Sequence, residues 1–338
     1  MSDSEARGRA GFSPVRGRAA AIVAAVLGLF VATAVIGYFN FGAVLAAIRP
    51  IGAGGFLAAI VAQAVLFVPL GLAWWFAAPS GTGRATALMW GRLTREAAAD
   101  VLPFSQFGGI AIAARVAVLS GVASTAAFGS IVVDITFEMI AQLVYTLIGL
   151  AILVRHLGFG TGHDRLLAPL VAGLIGGVVM VCGFIATQRR GFQLIEKMLE
   201  RMLPAIAGHA SAVTQVVEAV WGKPLRLWAC LGLHIFSWFG SAAGTWLILR
   251  FIDHPLPYLS VVAIESVLYA VRNAAFIVPS GLGVQEGAYA LLGPLFGLPA
   301  EAALALSLLK RARDIVIGVP LLLIWQFMES RRALPGAG

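Results

Sequence analysis

Asp134 and Glu138 stand four residues apart inside an apolar run, so any helix that contains them projects both from one face. Gln142 and Tyr145 continue that polar stripe. Far along the chain Lys310 and Asp314 repeat the spacing, with Arg311 one position round and Arg313 beside them. Arg115, Glu265, Arg272 and Glu286 also interrupt apolar sequence. An ionised group at the centre of a bilayer costs about 3 kcal/mol or more, so such residues face a partner or a wet cavity. One reading is a network of ion pairs that holds a helical bundle together, the acidic stripe of one helix against the basic stripe of another. The other is a polar cavity where a charged headgroup sits while its acyl or polycyclic body stays in lipid. Glu286, Asp134 and Glu138 are then candidates to carry a proton.

Glu286 also adjoins a break in the chain. In VPSGLGVQEG (278–287), Pro279 removes a backbone donor while Gly281, Gly283 and Gly287 relax the backbone. Freed backbone groups survive at membrane depth only when buried in protein or lining a cavity. A helix starting near Val284 would aim its positive end at such a cavity and favour an anionic group such as a phosphate. The plainer alternative is a kink or loop at the outer face. LPFSQFGG (102–109), with Pro103, Gly108 and Gly109, is a similar break in the first half.

Other chemistries find little support. GLGVQEG begins like a dinucleotide-binding turn, but Glu286 stands at the third glycine position and no strand precedes it. No GxxxxGK[ST] string offers a phosphate loop for ATP, and no nucleophile elbow is present. The five histidines are scattered, with no close pair at ligand spacing, and His234 reads as a satisfied helix residue. Cys182 and Cys230 lie in apolar runs and make no disulfide or zinc framework. Neither a metal nor a cofactor is expected. An intramembrane transferase stays open as an alternative, because membrane carboxylates can act as bases.

The elements that must position these groups are membrane helices. The chain is 60% hydrophobic and only 12% charged, about half the charge of an ordinary soluble domain. Its net charge of +8 sits between apolar spans, where the rule that cytoplasmic loops are positive explains it without nucleic acid. Continuous spans cover 19–39, 55–78, 126–153, 166–187, 227–250 and 302–328, and regions 86–122 and 256–298 are apolar but interrupted. The expected architecture is therefore an all-α integral membrane protein, a polytopic bundle in one unit over 19–328. Residues 1–18 form a polar arm, the span 19–39 is a retained helix rather than a signal peptide, and 329–338 form a tail. Arg7, Arg9, Arg16 and Arg18, then Arg84, Arg92 and Arg95, then the basic loop 188–226, then Arg331 and Arg332, are all assigned to the cytoplasmic side. Both termini then lie inside. Within 188–226 the stretch 191–206 is amphipathic, suited to the headgroup layer or to capping the bundle.

The two halves echo each other. One shift carries Pro103 onto Pro279, Gly121 onto Gly297 and Glu138 onto Asp314, and it carries the span 55–78 onto 231–254, close to the second-half span read separately at 227–250. Half-repeats of about 55–153 and 227–328 follow. Because region 86–122 enters from the cytoplasm and 256–298 from the opposite side, the repeat is expected to be inverted, as in many secondary transporters. Each interrupted region is either a re-entrant hairpin or a closely packed helix pair.

The stretch 278–326, running from VPSGLGVQEG through SLLKRARD to LLLIWQ, resembles the carboxyl-terminal signature of a flippase-like membrane family. That family includes the membrane portion of lysylphosphatidylglycerol synthases. Pro279, Gly281, Gly283, Glu286 and Arg311 match its pattern, and LPFSQFGG followed by Asp134, Glu138 and Gln142 is most similar to the hopanoid biosynthesis-associated branch. The resemblance implies a lipid translocase of a bacterial cytoplasmic membrane, acting on hopanoid or anionic phospholipid without hydrolysing ATP. It further implies lipid-synthesis or export proteins as partners. The soluble aminoacyl-transferring domain of the synthases has no counterpart in this sequence, so lysyl transfer is not expected. A non-transporting scaffold for lipid-synthesis enzymes is the remaining alternative.

Overall fold

The computed structural model describes residues 41–82, 85–102, 105–157, 215–275, 278 and 281–333, with isolated positions between 168 and 183. The expected spans 19–39 and 166–187, the polar arm, the amphipathic stretch 191–206, Pro103 and Pro279 lie outside the described residues. Nine α-helices and no strand occur among those described. They are α1 (Phe41–Ile48), α2 (Gly52–Ala77), α3 (Ala85–Val101), α4 (Ser105–Leu119), α5 (Ser124–Leu157), α6 (Pro224–Phe251), α7 (Tyr258–Ala274), α8 (Val284–Leu292) and α9 (Ala300–Ala333).

Length separates these helices into two kinds. Arg49–Ala77, Ser124–Leu157 and Pro224–Phe251 are each long and apolar enough to cross a bilayer. The fourth long helix, α9, has 34 residues but carries Lys310, Arg311, Arg313 and Asp314 within it. By contrast α3 and α7 have 17 residues, α4 has 15 and α8 has 9. At 1.5 Å rise per residue the longest of these reaches about 25 Å, short of the ~30 Å hydrocarbon layer.

The buried apolar side chains form two large clusters, and the direction of each helix follows from which cluster it meets first. One cluster takes the end of α2 (Ala73, Trp74, Ala77), the start of α3 (Ala87, Leu88), the end of α4 (Ala113, Ala117), the first half of α5 and the start of α6. The other takes the start of α2, the second halves of α5 and α6, and parts of α7, α8 and α9. So α3 and α4 leave and return to one end of the molecule, while α7 and α8 leave and return to the other. The two interrupted regions are re-entrant hairpins.

The repeat extends to element boundaries. The shift that relates the glycine turns carries the start of α5 at Ser124 onto the start of α9 at Ala300. Gly121 (φ 93°) and Gly297 (φ 82°) turn the chain in the left-handed region just before each of those helices. Equivalent helices run in opposite directions: α2 runs from the second cluster to the first and α6 from the first to the second. Packing obeys the same exchange, α5 against α7 and α9 against α3, with α2 against α6 where the halves meet. The repeat is inverted.

Candidate functional site

The ends of α3 and α7 approach each other at Asp100 and Arg272 between the apolar clusters, and there the ionisable residues collect. On α5, apolar packing into the first cluster ends at Phe137 and into the second begins at Tyr145, leaving Glu138 and Gln142 between. On α6, Cys230 belongs to the first cluster and Ala242 to the second, and buried His234 and Ser237 fall between them.

The first group of charges joins α3, α5 and α6. Arg92 is 1% exposed; its Nη1 donates to Asp134 Oδ2 at 2.8 Å and its Nη2 to Glu138 Oε1 at 2.6 Å. The same Nη2 lies 2.9 Å from Glu96 Oε1, one turn along α3. Arg95 donates to Glu138 Oε2 at 2.8 Å and reaches Asp134 Oδ2 at 3.4 Å. From α6, His234 Nε2 lies 2.9 Å from Asp134 Oδ1. Arg92 and Arg95, assigned to a cytoplasmic loop on sequence, are thus inside the bundle as the partners of the acidic stripe. A run of arginines flanking a span looks the same in sequence whether it meets water or a folded-back helix. The available signal was that 85–101 admits a helix with Arg92, Arg95, Glu96 and Asp100 along it.

The second group is built on α7, α8 and α9. Lys310 Nζ, 2% exposed, donates to Glu265 Oε2 at 2.6 Å and to the Tyr289 hydroxyl at 2.7 Å, and that hydroxyl in turn donates to Glu265. Glu286 is 1% exposed. Its Oε1 accepts from Arg311 Nη2 at 2.8 Å and from Ser307 Oγ at 3.2 Å. Its Oε2 accepts from the Gly283 backbone N–H at 2.9 Å. The α8 helix does start at Val284, after Gly281 (φ 59°) and Gly283 (φ 77°), as the sequence leads one to expect. Its positive end, however, is already occupied by the carboxylate of its own third residue rather than left open for a phosphate. Gln285 beside it accepts from Arg272 at 3.1 Å and donates to Ser307 at 2.9 Å.

A third set links the two hairpin tips. Arg272 on α7 approaches Asp100 on α3 at 4.0 Å, and Arg313 holds its neighbour Asp314 at 2.7 Å. Asp100 also lies within electrostatic reach of Asp314 and Arg313. Asn273 donates to Gln142 at 2.6 Å, tying α7 to α5.

Two sequence expectations change. The acidic stripe of α5 and the basic stripe of α9 do not pair with each other; each is satisfied by the short helix packed beside it, with the polarity exchanged between halves. Arg115 is not part of the site, being 57% exposed and paired with Glu329 at 2.8 Å near the far end of α9. Gly109 serves α3–α4 packing, since a Cβ there would approach Arg95 O at 3.0 Å, and Gly108 is exposed.

Asp134, Cys230 and His234 place their donor atoms within 4.8 Å of one another, all buried. Two guanidinium groups on the same Asp134 carboxylate oppose a metal cation there, and Asp134 and His234 are joined by the hydrogen bond described above. The ion-paired groups that retain some accessibility include Arg95, Glu96, Asp100, Glu138, Arg272, Arg311 and Asp314, from both hairpins and both long charged helices. An amphipathic molecule entering between hairpin tips would meet charges of either sign.

Residues 21–321 match the family model described as the lysylphosphatidylglycerol synthase TM region. No curated protein and no solved structure matches the chain.

Proposed function

The chain belongs to the lysylphosphatidylglycerol synthase TM-region family, a membership that gives it a membrane lipid-related role, and from that premise we propose that it is a lipid translocase working without ATP hydrolysis. The observation that carries the reading is the convergence of two oppositely inserted re-entrant hairpins on one polar layer. Inverted repeats that meet in this way offer a site near mid-depth that can be exposed to either face in turn. Headgroups of hopanoid or anionic phospholipid would exchange ion pairs with the partly accessible Arg95, Arg272 and Arg311, while the tail stays between helices in the bilayer. Glu138 would hold Arg95, Glu286 would hold Arg311, and Asp100 with Gln285 would hold Arg272 between passages, while Lys310 stays on Glu265 and Asp314 on Arg313; the membrane would be a bacterial cytoplasmic one with both termini inside.

Purified protein in vesicles carrying a fluorescent anionic phospholipid or hopanoid on one leaflet tests this. The expected result is faster leaflet exchange than in protein-free vesicles, with lipid chemically unchanged by mass spectrometry. Exchange equal to that of empty vesicles for every lipid, with and without a pH gradient, would sink the proposal. Appearance of a modified lipid would favour the intramembrane transferase instead, with Glu286 or Asp134 as base. Neither exchange nor product, together with capture of lipid-synthesis proteins, would favour the scaffold.

A further inference from the structure

Helix α9 ends beside a cavity that the charged layer does not reach. The cavity is lined by Trp90 from α3, by Leu119 and Ser120 at the end of α4, and by Trp325, Met328 and Glu329 from α9. Glu329 lies fifteen residues past Asp314, about 22 Å along the helix at 1.5 Å per residue. The space measures about 10 Å³, room for one water-sized group. Two of its lining side chains each keep a buried polar atom without a hydrogen-bond partner, Trp325 at Nε1 and Glu329 at Oε2. They stand one turn apart on one face of α9, yet they do not bond each other. Arg115 takes only the other oxygen, Oε1, at 2.8 and 3.2 Å. An unmet buried donor beside an unmet buried acceptor is unfavourable, and a group that bridges them removes both penalties. The fold itself does not impose this cavity. The shift that relates the halves carries Gly149 onto Trp325 and Trp90 onto Ser266. Gly149 and Ser266 close α5 directly against α7, whereas the two tryptophans leave a cavity between α9 and α3. The counterpart of Glu329 is Leu153, buried in an apolar cluster.

The donor and the acceptor together select the ligand chemistry. An indole N–H only gives a hydrogen bond and an ionised carboxylate only receives one, so the bridging group must accept once and donate once. A hydroxyl does both. An ammonium only donates and leaves the indole unmet, while a phosphate only accepts and is repelled by Glu329. Tryptophan is the residue that gathers at headgroup depth in membrane proteins, and here two of them face the same small space. Ile324, Phe327 and Met328 are exposed on α9 around it, an apolar surface for an acyl chain to follow. We propose that this cavity is a lipid-binding site that holds one hydroxyl of a glycerol or other polyol headgroup, apart from the charged layer between the hairpins. The hydroxyl oxygen accepts from Trp325 Nε1, its hydrogen goes to Glu329 Oε2, and Arg115 steadies that carboxylate through the opposite oxygen. A lipid seated there joins α9 to the α3–α4 hairpin at the rim of the bundle.

The site rests on the chain's membrane setting and not on the translocase reading. Nitrogen-15 NMR of the tryptophan indoles in full-length protein, held in phosphatidylcholine nanodiscs, tests it directly. The Trp325 signal is assigned by its loss in Trp325→Phe, which removes only a partnerless N–H and keeps an aromatic ring. Titration with phosphatidylglycerol should move that signal, with saturation at a lipid fraction about tenfold lower than for phosphatidylmethanol. The two lipids carry the same phosphate charge, and only the first has hydroxyls. Monooleoylglycerol, uncharged but hydroxylated, is the second source: a matching response supports recognition by the hydroxyl alone, and a weaker one supports a hydroxyl helped by phosphate. Glu329→Leu, which installs the counterpart residue of the other half, should erase the preference for the hydroxylated lipid. A Trp325 signal indifferent to phosphatidylglycerol overturns the proposal, because a water then suffices for the cavity. So does an equal response to phosphatidylmethanol, an equal shift produced by free glycerol, or a preference that survives in Glu329→Leu. If the protein moves no lipid between leaflets, the translocase reading fails while the indole titration stands on its own.

Discussion

Replacing Glu286 by glutamine isolates one carboxylate with little change of shape. In the native protein its two oxygens accept from Gly283 N–H, Ser307 Oγ and Arg311, three of the donor–acceptor distances being 2.9, 3.2 and 2.8 Å. Glutamine keeps one oxygen. If that oxygen continues to cap Gly283, the amide nitrogen is turned toward Ser307 and Arg311, donor against donor. A hydrogen bond to a charged group contributes about 1.5–3 kcal/mol, and removing one member of a buried pair costs about 3–5 kcal/mol. Arg311 is 21% exposed and can turn partly toward water, which places the expected loss nearer 2–4 kcal/mol. Thermal unfolding of detergent-solubilised protein, followed by tryptophan fluorescence at one fixed scan rate, should show a midpoint lower by several degrees. The double variant Glu286→Gln with Arg311→Gln removes the cation that opposes the new amide and should recover part of the loss, a coupling of about 1–3 kcal/mol. Lipid exchange should fall in the single variant, because α8 loses the anchor at its first turn. The argument is refuted if Glu286→Gln melts with wild type, or if the two substitutions simply add.

Arg92→Met should be the most damaging single change, since it removes the buried guanidinium shared by Glu96, Asp134 and Glu138 and leaves only Arg95 to the last two; a cost of about 3–5 kcal/mol predicts aggregation on size exclusion, and Arg92→Lys should rescue poorly because an ammonium cannot fork between two carboxylates. Arg115→Ala should leave both melting and lipid exchange near wild type, as an exposed pair contributes about 0–1 kcal/mol, and a loss of exchange would return Arg115 to the site. At Gly149 a Cβ would overlap Ser266 Oγ, so Gly149→Ala should separate α5 from α7 and lower the melting midpoint, with Ser266→Gly restoring much of it. Cysteines at the equivalent positions Ala123 and Pro299, in a background without Cys182 and Cys230, should react with an impermeant reagent from opposite faces of the membrane; labelling from one face would contradict the inverted repeat.

Much of the architecture was legible in sequence because membrane helices announce themselves by uninterrupted hydropathy and because backbone breaks require proline and glycine. The shift that relates Gly121 to Gly297 was readable for the same reason: a left-handed turn tolerates few other residues. The choice between re-entrant hairpin and full helix pair was not readable, since short apolar helices have the same composition whether they cross a bilayer or turn back within it. Only the sharing of apolar clusters, α3 and α4 at one end and α7 and α8 at the other, decides it.

For the site, sequence alone determined that charges lie at membrane depth, that Asp134 and Glu138 share a face, and that Glu286 sits at the head of a helix after a glycine break. Those are consequences of spacing along one helix. Which charge meets which was decided by tertiary structure, because pairing depends on neighbours far apart in the chain. Arg92 reaches across 42 residues to Asp134 and Lys310 across 45 to Glu265. His234 reaches across 100 residues to the same aspartate. Burial then turns an arginine that sequence assigns to a loop into the centre of the charged layer.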